Sequence, residues 1–274
     1  MKSTLSMFNI PNLFTATNFM CGITAIILSV SGRIDLAPFA IYLGAILDFF
    51  DGFLARKLNQ QGELGKQMDS LADVVTFGVA PGVMMMVLLS YLSLNSVRFD
   101  SEMTLDGILA VSFETWLDSL LNLHPRSFIP FIGLIIPFFS IFRLAKFNID
   151  TRQSDSFIGL NTPANTIFFT SFPLLLFIYQ DDFFIGNTFI NTIISPIILI
   201  PLIILMSILL VSEIPFFSFK FKHFKWKGNE LRYLFLITCG ILIPTLLVWS
   251  IPIIILLYII LSIVENLFIK KASI

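Results

Sequence analysis

What most constrains this chain is a succession of apolar runs, each roughly 17–25 residues long and nearly free of charge. That is the length a helix needs to cross the hydrocarbon layer of a bilayer. About eight such spans can be delineated, near residues 17–32, 36–56, 68–92, 127–147, 163–180, 189–212, 231–248 and 251–268. Pro163, Pro196, Pro244 and Pro252 mark helix starts or kinks within them. Only Trp249-Ser250 separates the last two, which read as a tight hairpin or as one long re-entrant segment. Composition points the same way. Hydrophobic residues make up 56% of the 274 positions and charged residues 13%, where a soluble domain carries roughly a quarter. So little charge cannot coat a water-facing surface, and 31 phenylalanines need a non-aqueous solvent around them. A net charge of −1 excludes bulk attraction to nucleic acid. Cys21 and Cys239 both lie in apolar runs and build neither a disulfide framework nor a zinc site. The expected fold is an all-α, polytopic membrane bundle.

Met1–Lys2–Ser3 lacks the basic start of a signal peptide, and Leu5–Thr17 reads as an interfacial helix ahead of the first span. With the N-terminus inside and eight spans, 14 of the 17 Lys and Arg residues fall on one side, leaving Arg33, Arg98 and Arg126 on the other. By the positive-inside rule both termini are cytoplasmic, in the cell (inner) membrane. The non-cytoplasmic loop 95–126 contains an amphipathic stretch, Leu105–Leu121 with Trp116, which reads as a second surface helix. The basic run Lys220–Lys227, interleaved with Phe221, Phe224 and Trp226, reads as an anchor to anionic lipid. His124 and His223 lie in loops without a partner constellation, so surface roles are expected for both. No internal repeat or separate soluble domain is visible.

Charges inside apolar spans are costly and mark function. Asp48 and Asp51 are three apart at the end of the second span, and Asp69 and Asp73 four apart at the start of the third, so each pair shares a helix face. The polar connection Lys57–Leu64 is short, which makes the two helices antiparallel neighbours whose acidic faces can meet. At about 2.5–3.5 kcal/mol for each buried Asp, the four would cost on the order of 10–14 kcal/mol if left unpaired. Arg56 and Lys66 alone do not offset that. Divalent cations would, and carboxylate oxygens suit Mg²⁺ or Mn²⁺.

Gly52 and Gly65 lack side chains where a ligand's phosphates would have to approach. Ala55 is small on the face of Asp48 and Asp51, and Arg56 is placed to meet a phosphate with a forked guanidinium. Small residues at such spacing also serve plain helix packing, and intramembrane carboxylates also serve proton relays.

Together these residues read Asp48-x2-Asp51-Gly52-x2-Ala55-Arg56-x8-Gly65-x3-Asp69-x3-Asp73. That string resembles, without deviation, the signature of the CDP-alcohol phosphatidyltransferase family. The resemblance implies transfer of a phosphatidyl group from CDP-diacylglycerol to an alcohol, with CMP leaving. Carried over, Asp48, Asp51 and Asp69 would bind a pair of divalent metals. Asp73 would join that site and act as general base. Gly52, Ala55 and Arg56 would contact the cytidine nucleotide, with Gly65 and, from the stretch ahead of the first span, Asn12 and Thr15 in the same donor site.

The flanks resemble the serine-using branch of the family. Asp69-Ser70-Leu71-Ala72-Asp73 is followed by Thr76-Phe77-Gly78 and Ala80-Pro81, with Met68 where that branch has Leu. Two further patches agree, Ile10-Pro11-Asn12-Leu13-Phe14-Thr15-x2-Asn18-x2-Cys21-Gly22 and Phe142-Arg143-Leu144-Ala145-Lys146-Phe147-Asn148. Gly159-Leu160-Asn161-Thr162-Pro163-Ala164 departs from the branch at Asn161. The partners implied are CDP-diacylglycerol, L-serine and the bilayer, with a homodimer as one assembly open to such a chain. Ser70, Arg143 and Asn148 are candidate serine contacts. Snorkelling to the interface is the plainer role for Arg143; cradling a carboxylate bidentately is the functional one. On this reading residues 1–180 carry the catalytic membrane domain, and residues 181–274 add transmembrane helices to it. Another acceptor, such as glycerol phosphate or inositol phosphate, is the alternative within the family. A cation transporter is the alternative outside it, though these acids cluster at one end of two spans instead of threading several.

Overall fold

The computed structural model describes residues 8–93, 104–122, 125–150, 156–179, 192–218, 225–226 and 228–269. His124, His223 and most of the Lys220–Lys227 run lie outside them. Helix α1 spans Ile10–Val30, α2 Ala37–Lys57 and α3 Glu63–Ser93. Then come α4, Leu105–Leu120, and α5, Pro125–Ile149, whose first ten residues are wound as a 3₁₀-helix. They are followed by α6, Thr162–Tyr179; α7, Pro196–Val211; α8, Glu230–Leu246; and α9, Ser250–Val264. Two three-residue strands, β1 (Ser156–Ile158) and β2 (Pro215–Phe217), pair antiparallel with Phe157 opposite Phe216.

The bundle is all-α, as expected, but its spans do not match the sequence reading one for one. Among the described residues six apolar runs reach membrane-spanning length, one of them the 38 residues Glu230–Leu267 that contain both α8 and α9. At 16 residues α7 is shorter than a full span. The chain reverses at Leu247, whose φ is +48°, and Phe235 and Tyr258 meet across the reversal with ring centroids 6.0 Å apart, so α8 and α9 form the hairpin and not a continuous rod.

The interfacial helix expected over Leu5–Thr17 is also corrected: from Ile10 onward these residues are the first turns of α1. The Asn9 side chain caps the helix by accepting from the backbone N–H of Asn12 at 2.8 Å, and Pro11 occupies the first turn, where a missing N–H costs nothing. The stretch around Trp116 is helical, as α4, with the indole buried and donating to the Ser127 carbonyl at 2.7 Å.

Helix α1 packs along both α2 and α3, filling the groove between them. Backbone comes close there because the crossing residues are small. A Cβ on Gly22 would sit 2.6 Å from Thr76 Oγ1, and one on Gly44 would sit 2.8 Å from both Asn18 Oδ1 and Thr76 Cγ2. Farther along, Gly82 of α3 and Gly133 of α5 cross with similar intimacy. The apolar centre runs through Met84, Met85 and Leu88 of α3 to Phe168, Phe169 and Phe172 of α6, all buried. Outward, rings such as Phe49, Phe53, Phe138 and Phe142 are exposed, as lipid-facing positions should be.

Candidate active site

The four acids converge where α2 ends and α3 begins. One carboxylate oxygen from each of Asp48, Asp51 and Asp69 lies within 4.8 Å of the other two. Asp73, one turn beyond Asp69, is not in that trio but interacts electrostatically with all three. Among the described residues its Oδ1 is buried without a hydrogen-bond partner. Asp51 is 6% exposed and accepts a 2.6 Å hydrogen bond on Oδ2 from the Thr15 hydroxyl of α1. That contact is charge-assisted and fixes one oxygen of the carboxylate, leaving the other to turn toward its neighbours.

Three converging carboxylates beside an orphaned buried acid oxygen suit a divalent cation. Like charges this close repel, and burial without a counter-ion makes that worse. Hard oxygen donors select Mg²⁺ or Mn²⁺ over softer metals. The donor set therefore fits the metal that the signature implies.

Beside the acids opens a cavity of about 570 Å³ whose wall includes Asp51 and Asp69. All six residues expected around the nucleotide line it: Asn12, Thr15, Gly52, Ala55, Arg56 and Gly65. A Cβ on Gly52 would meet nothing nearer than Arg56 Nη1 at 3.6 Å. Packing does not demand glycine there; the space it leaves belongs to the cavity. Gly65 is tighter, its Cβ position lying 3.2 Å from Asn12 Oδ1. Loop residues 60–62, Glu63 and Lys66 also line the cavity. Sequence reasoning did not assign them, since they occupy the signature's variable positions.

The acceptor-side candidates fall outside this cavity and are only partly brought together. Asn148 Nδ2 donates to Ser70 Oγ at 2.7 Å, and Lys66 Nζ donates to the Asn148 carbonyl at 2.9 Å, tying the end of α5 to the first turns of α3. Arg143 stands apart from that pair. It is 6% exposed, donates from Nε to the Leu160 carbonyl at 3.3 Å, and has its guanidinium 4.6 Å from the Phe147 ring centre. Snorkelling is thereby overturned, because a snorkelling arginine keeps its head in water. Among the described residues neither Nη nitrogen finds an acceptor, and Asp73 lies within the charge's reach. Glu213, in the segment between α7 and β2, pairs with Lys146.

Comparison with known proteins agrees with this geometry. A family model described as CDP-alcohol phosphatidyltransferase matches residues 8–219. The chain belongs to the CDP-alcohol phosphatidyltransferase family. Among similar proteins is the CDP-diacylglycerol–serine O-phosphatidyltransferase of Bacillus subtilis, 35% identical over 158 residues, which are 56% of this chain and 69% of that one. A protein of the same name from Helicobacter pylori is 32% identical over 163 residues, 59% of this chain and 55% of its own. The archaetidylserine synthase of Methanothermobacter thermautotrophicus is 28% identical over 175 residues, 63% of this chain and 61% of its own. The aligned region thus spans little more than half the length of the last two. The match to the CDP-alcohol phosphatidyltransferase family reaches past α7 and β2, well beyond Ala164, where the motifs read from the sequence end.

Proposed function

We propose that this chain transfers the phosphatidyl group of CDP-diacylglycerol to the hydroxyl of L-serine, giving phosphatidylserine and CMP. One observation carries the reading: the glycine-lined cavity ends on Asp51 and Asp69, two of the three carboxylates that converge with Asp48. The names of the similar bacterial proteins support serine as the acceptor.

The nucleotide lies along Gly52, Ala55 and Gly65, where no side chain obstructs it, and the Arg56 guanidinium meets a phosphate. Asp48, Asp51 and Asp69, with Asp73 beside them, hold a pair of divalent ions, which when bound would neutralise the acids and offset charge developing on the pyrophosphate. Thr15 keeps the Asp51 carboxylate oriented. A serine hydroxyl is too weakly acidic to attack unaided, so a positioned base matters. Asp73 takes its proton while the oxygen attacks the phosphorus that bears diacylglycerol. The bond from that phosphorus to the CMP oxygen breaks, and CMP leaves with the electron pair. Arg143, with both Nη groups available, receives the serine carboxylate. Access to cytosolic serine requires the site to face the cytoplasm, the side that the basic residues favour.

The test is CMP release by purified protein with CDP-diacylglycerol and Mn²⁺ or Mg²⁺, offered serine, glycerol phosphate, inositol or inositol phosphate. Serine should support release far above the rest; preference for a phosphorylated acceptor would overturn the assignment. Asp73→Asn should lower turnover about 10²–10⁴-fold, the range for losing a general base. It should leave binding of a CDP-diacylglycerol analogue intact, since the proton moves only in the transition state. If Asp73→Asn loses nucleotide as badly as Asp48→Asn, Asp73 is a ligand and the base lies elsewhere.

A further inference from the structure

The turn that follows Asp73 is not α-helical. Residues Val74–Val79 form a π-turn within α3, and the N–H of Ala80 reaches back five residues to the Val75 carbonyl. The sequence supplies the cause. In an α-helix the Phe77 carbonyl would accept from residue 81, but residue 81 is proline and has no N–H to give. The orphaned carbonyl is met from another helix, where Thr166 Oγ1 of α6 lies 2.7 Å from it and shares its one proton between that carbonyl and the Thr162 carbonyl of its own helix, 2.9 Å away. Thr166 is fully buried and Phe77 nearly so. At that depth bulk solvent does not reach the carbonyl.

The rest of the turn is gripped as well. Thr76 Oγ1 donates to the Asn18 carbonyl of α1 at 3.0 Å, against backbone at Gly22 and Gly44 too close for the turn to slip. Gly78 faces Ser140 of α5, its Cβ position 3.1 Å from that of the serine. Asp73 is the last residue before this turn. The π-turn carries one residue more than an α-turn would. Collapse to α register would therefore rotate Asp73 by about 100° around the helix axis relative to the core-packed half of α3.

We propose that Thr166 is a positioning residue for Asp73: by satisfying the Phe77 carbonyl that Pro81 leaves open, it holds the π-turn and with it the direction in which the acid points. The proposal rests on Asp73 acting as the base, as argued above.

The experiment compares Thr166→Val, which keeps the shape and removes the hydroxyl, with Thr166→Ser, which keeps the hydroxyl. Thr170→Val is the control: it removes the hydroxyl of another fully buried threonine, 2.9 Å from the Tyr42 hydroxyl and one turn away from the π-turn contact. For Thr166→Val, kcat should fall about 10- to 100-fold, the scale of a roughly 1 Å misplacement of a catalytic group. KM for CDP-diacylglycerol and the half-saturating Mn²⁺ concentration should hold. Thr166→Ser should regain most of the rate, and Thr170→Val should keep it. Pro81→Ala offers the helix a way back to α register, so it should itself lower kcat, and adding Thr166→Val should lower it little further. That pair keeps the idea testable should Thr166→Val alone fail to fold.

An unchanged kcat in Thr166→Val, an equal loss in Thr170→Val, a loss confined to metal affinity, or strict additivity with Pro81→Ala would each overturn the proposal. Asp73→Asn, run alongside, separates the two readings. If it turns over normally, the base assignment has failed whatever Thr166 does. If it is inactive while Thr166→Val is not, only the positioning role has failed.

Discussion

Replacing Gly52 with alanine should make the protein more stable and less active at once. Gly52 lies inside α2, where exchanging glycine for alanine favours the helix by about 0.5–1 kcal/mol. The added methyl would meet only Arg56 Nη1, at an ordinary 3.6 Å, so no packing strain cancels that gain. The methyl does project into the 570 Å³ cavity, at the wall along which the nucleotide is proposed to lie. An extra methyl group in a fitted pocket costs about 1–3 kcal/mol, or roughly 10- to 200-fold in substrate use. Gly44→Ala, two turns earlier on the same helix, should do the reverse to stability. Its Cβ would lie 2.8 Å from both Asn18 Oδ1 and Thr76 Cγ2, and overpacking of that kind destabilises by about 1–3 kcal/mol. The assay is thermal unfolding of both variants, metal-free and in detergent, beside CMP release measured against CDP-diacylglycerol and serine separately. Gly52→Ala should melt no lower than the parent and need far more CDP-diacylglycerol at unchanged serine KM. A Gly52→Ala protein with parental CDP-diacylglycerol kinetics would refute the idea that the cavity holds the nucleotide.

Chelation followed by dialysis should abolish CMP release, with Mn²⁺ or Mg²⁺ restoring it, and Asp48→Asn, Asp51→Asn and Asp69→Asn should each stay inactive after metal is returned; full activity in chelated protein would contradict the metal site. Arg56→Ala should raise the CDP-diacylglycerol requirement well above any change for serine, and equal effects on both substrates would make Arg56 a structural residue. Arg143→Ala should weaken serine use and spare binding of a CDP-diacylglycerol analogue, whereas loss of both would mean that the buried charge serves folding. Cysteines introduced at Asn59 or Gln60 should resist a membrane-impermeant reagent in intact cells and react once cells are opened; labelling from outside would reverse the orientation.

The donor half of the site was legible because its residues are close in sequence and chemically conspicuous. Four aspartates in apolar surroundings admit few explanations, and their helical spacing alone put each pair on one face. The contact between Thr15 and Asp51 was less accessible: it depends on α1 lying in the groove between α2 and α3, and a short α2–α3 loop says nothing of a third helix. The start of α1 was misjudged because Leu5–Thr17 is apolar without being uniformly so. Its polar members, Asn12 and Thr15, face the cavity and not a membrane surface. Arg143 reads as a snorkelling residue when only its distance from a span end is counted. Its burial depends on Leu160, seventeen positions away, presenting a carbonyl. The π-turn lies between these cases: Pro81 announces a missing donor, but nothing nearby in the chain names Thr166 as the replacement.

Every residue assigned to the metal and the nucleotide falls between Asn12 and Asp73, on three consecutive helices that leave the ribosome before α4–α9. During synthesis, an α3 entering the bilayer alone would carry two acids at a cost of several kcal/mol. Thr15 and the cavity wall on α1 and α2 are already in place to receive them. The donor half is therefore assembled from neighbours in order of emergence, with short loops to close and no wait for distant chain. Arg143, Thr166 and the C-terminal hairpin arrive later. A nascent chain halted soon after α3 should already hold the acidic centre, while its capacity to choose an acceptor is still to be made.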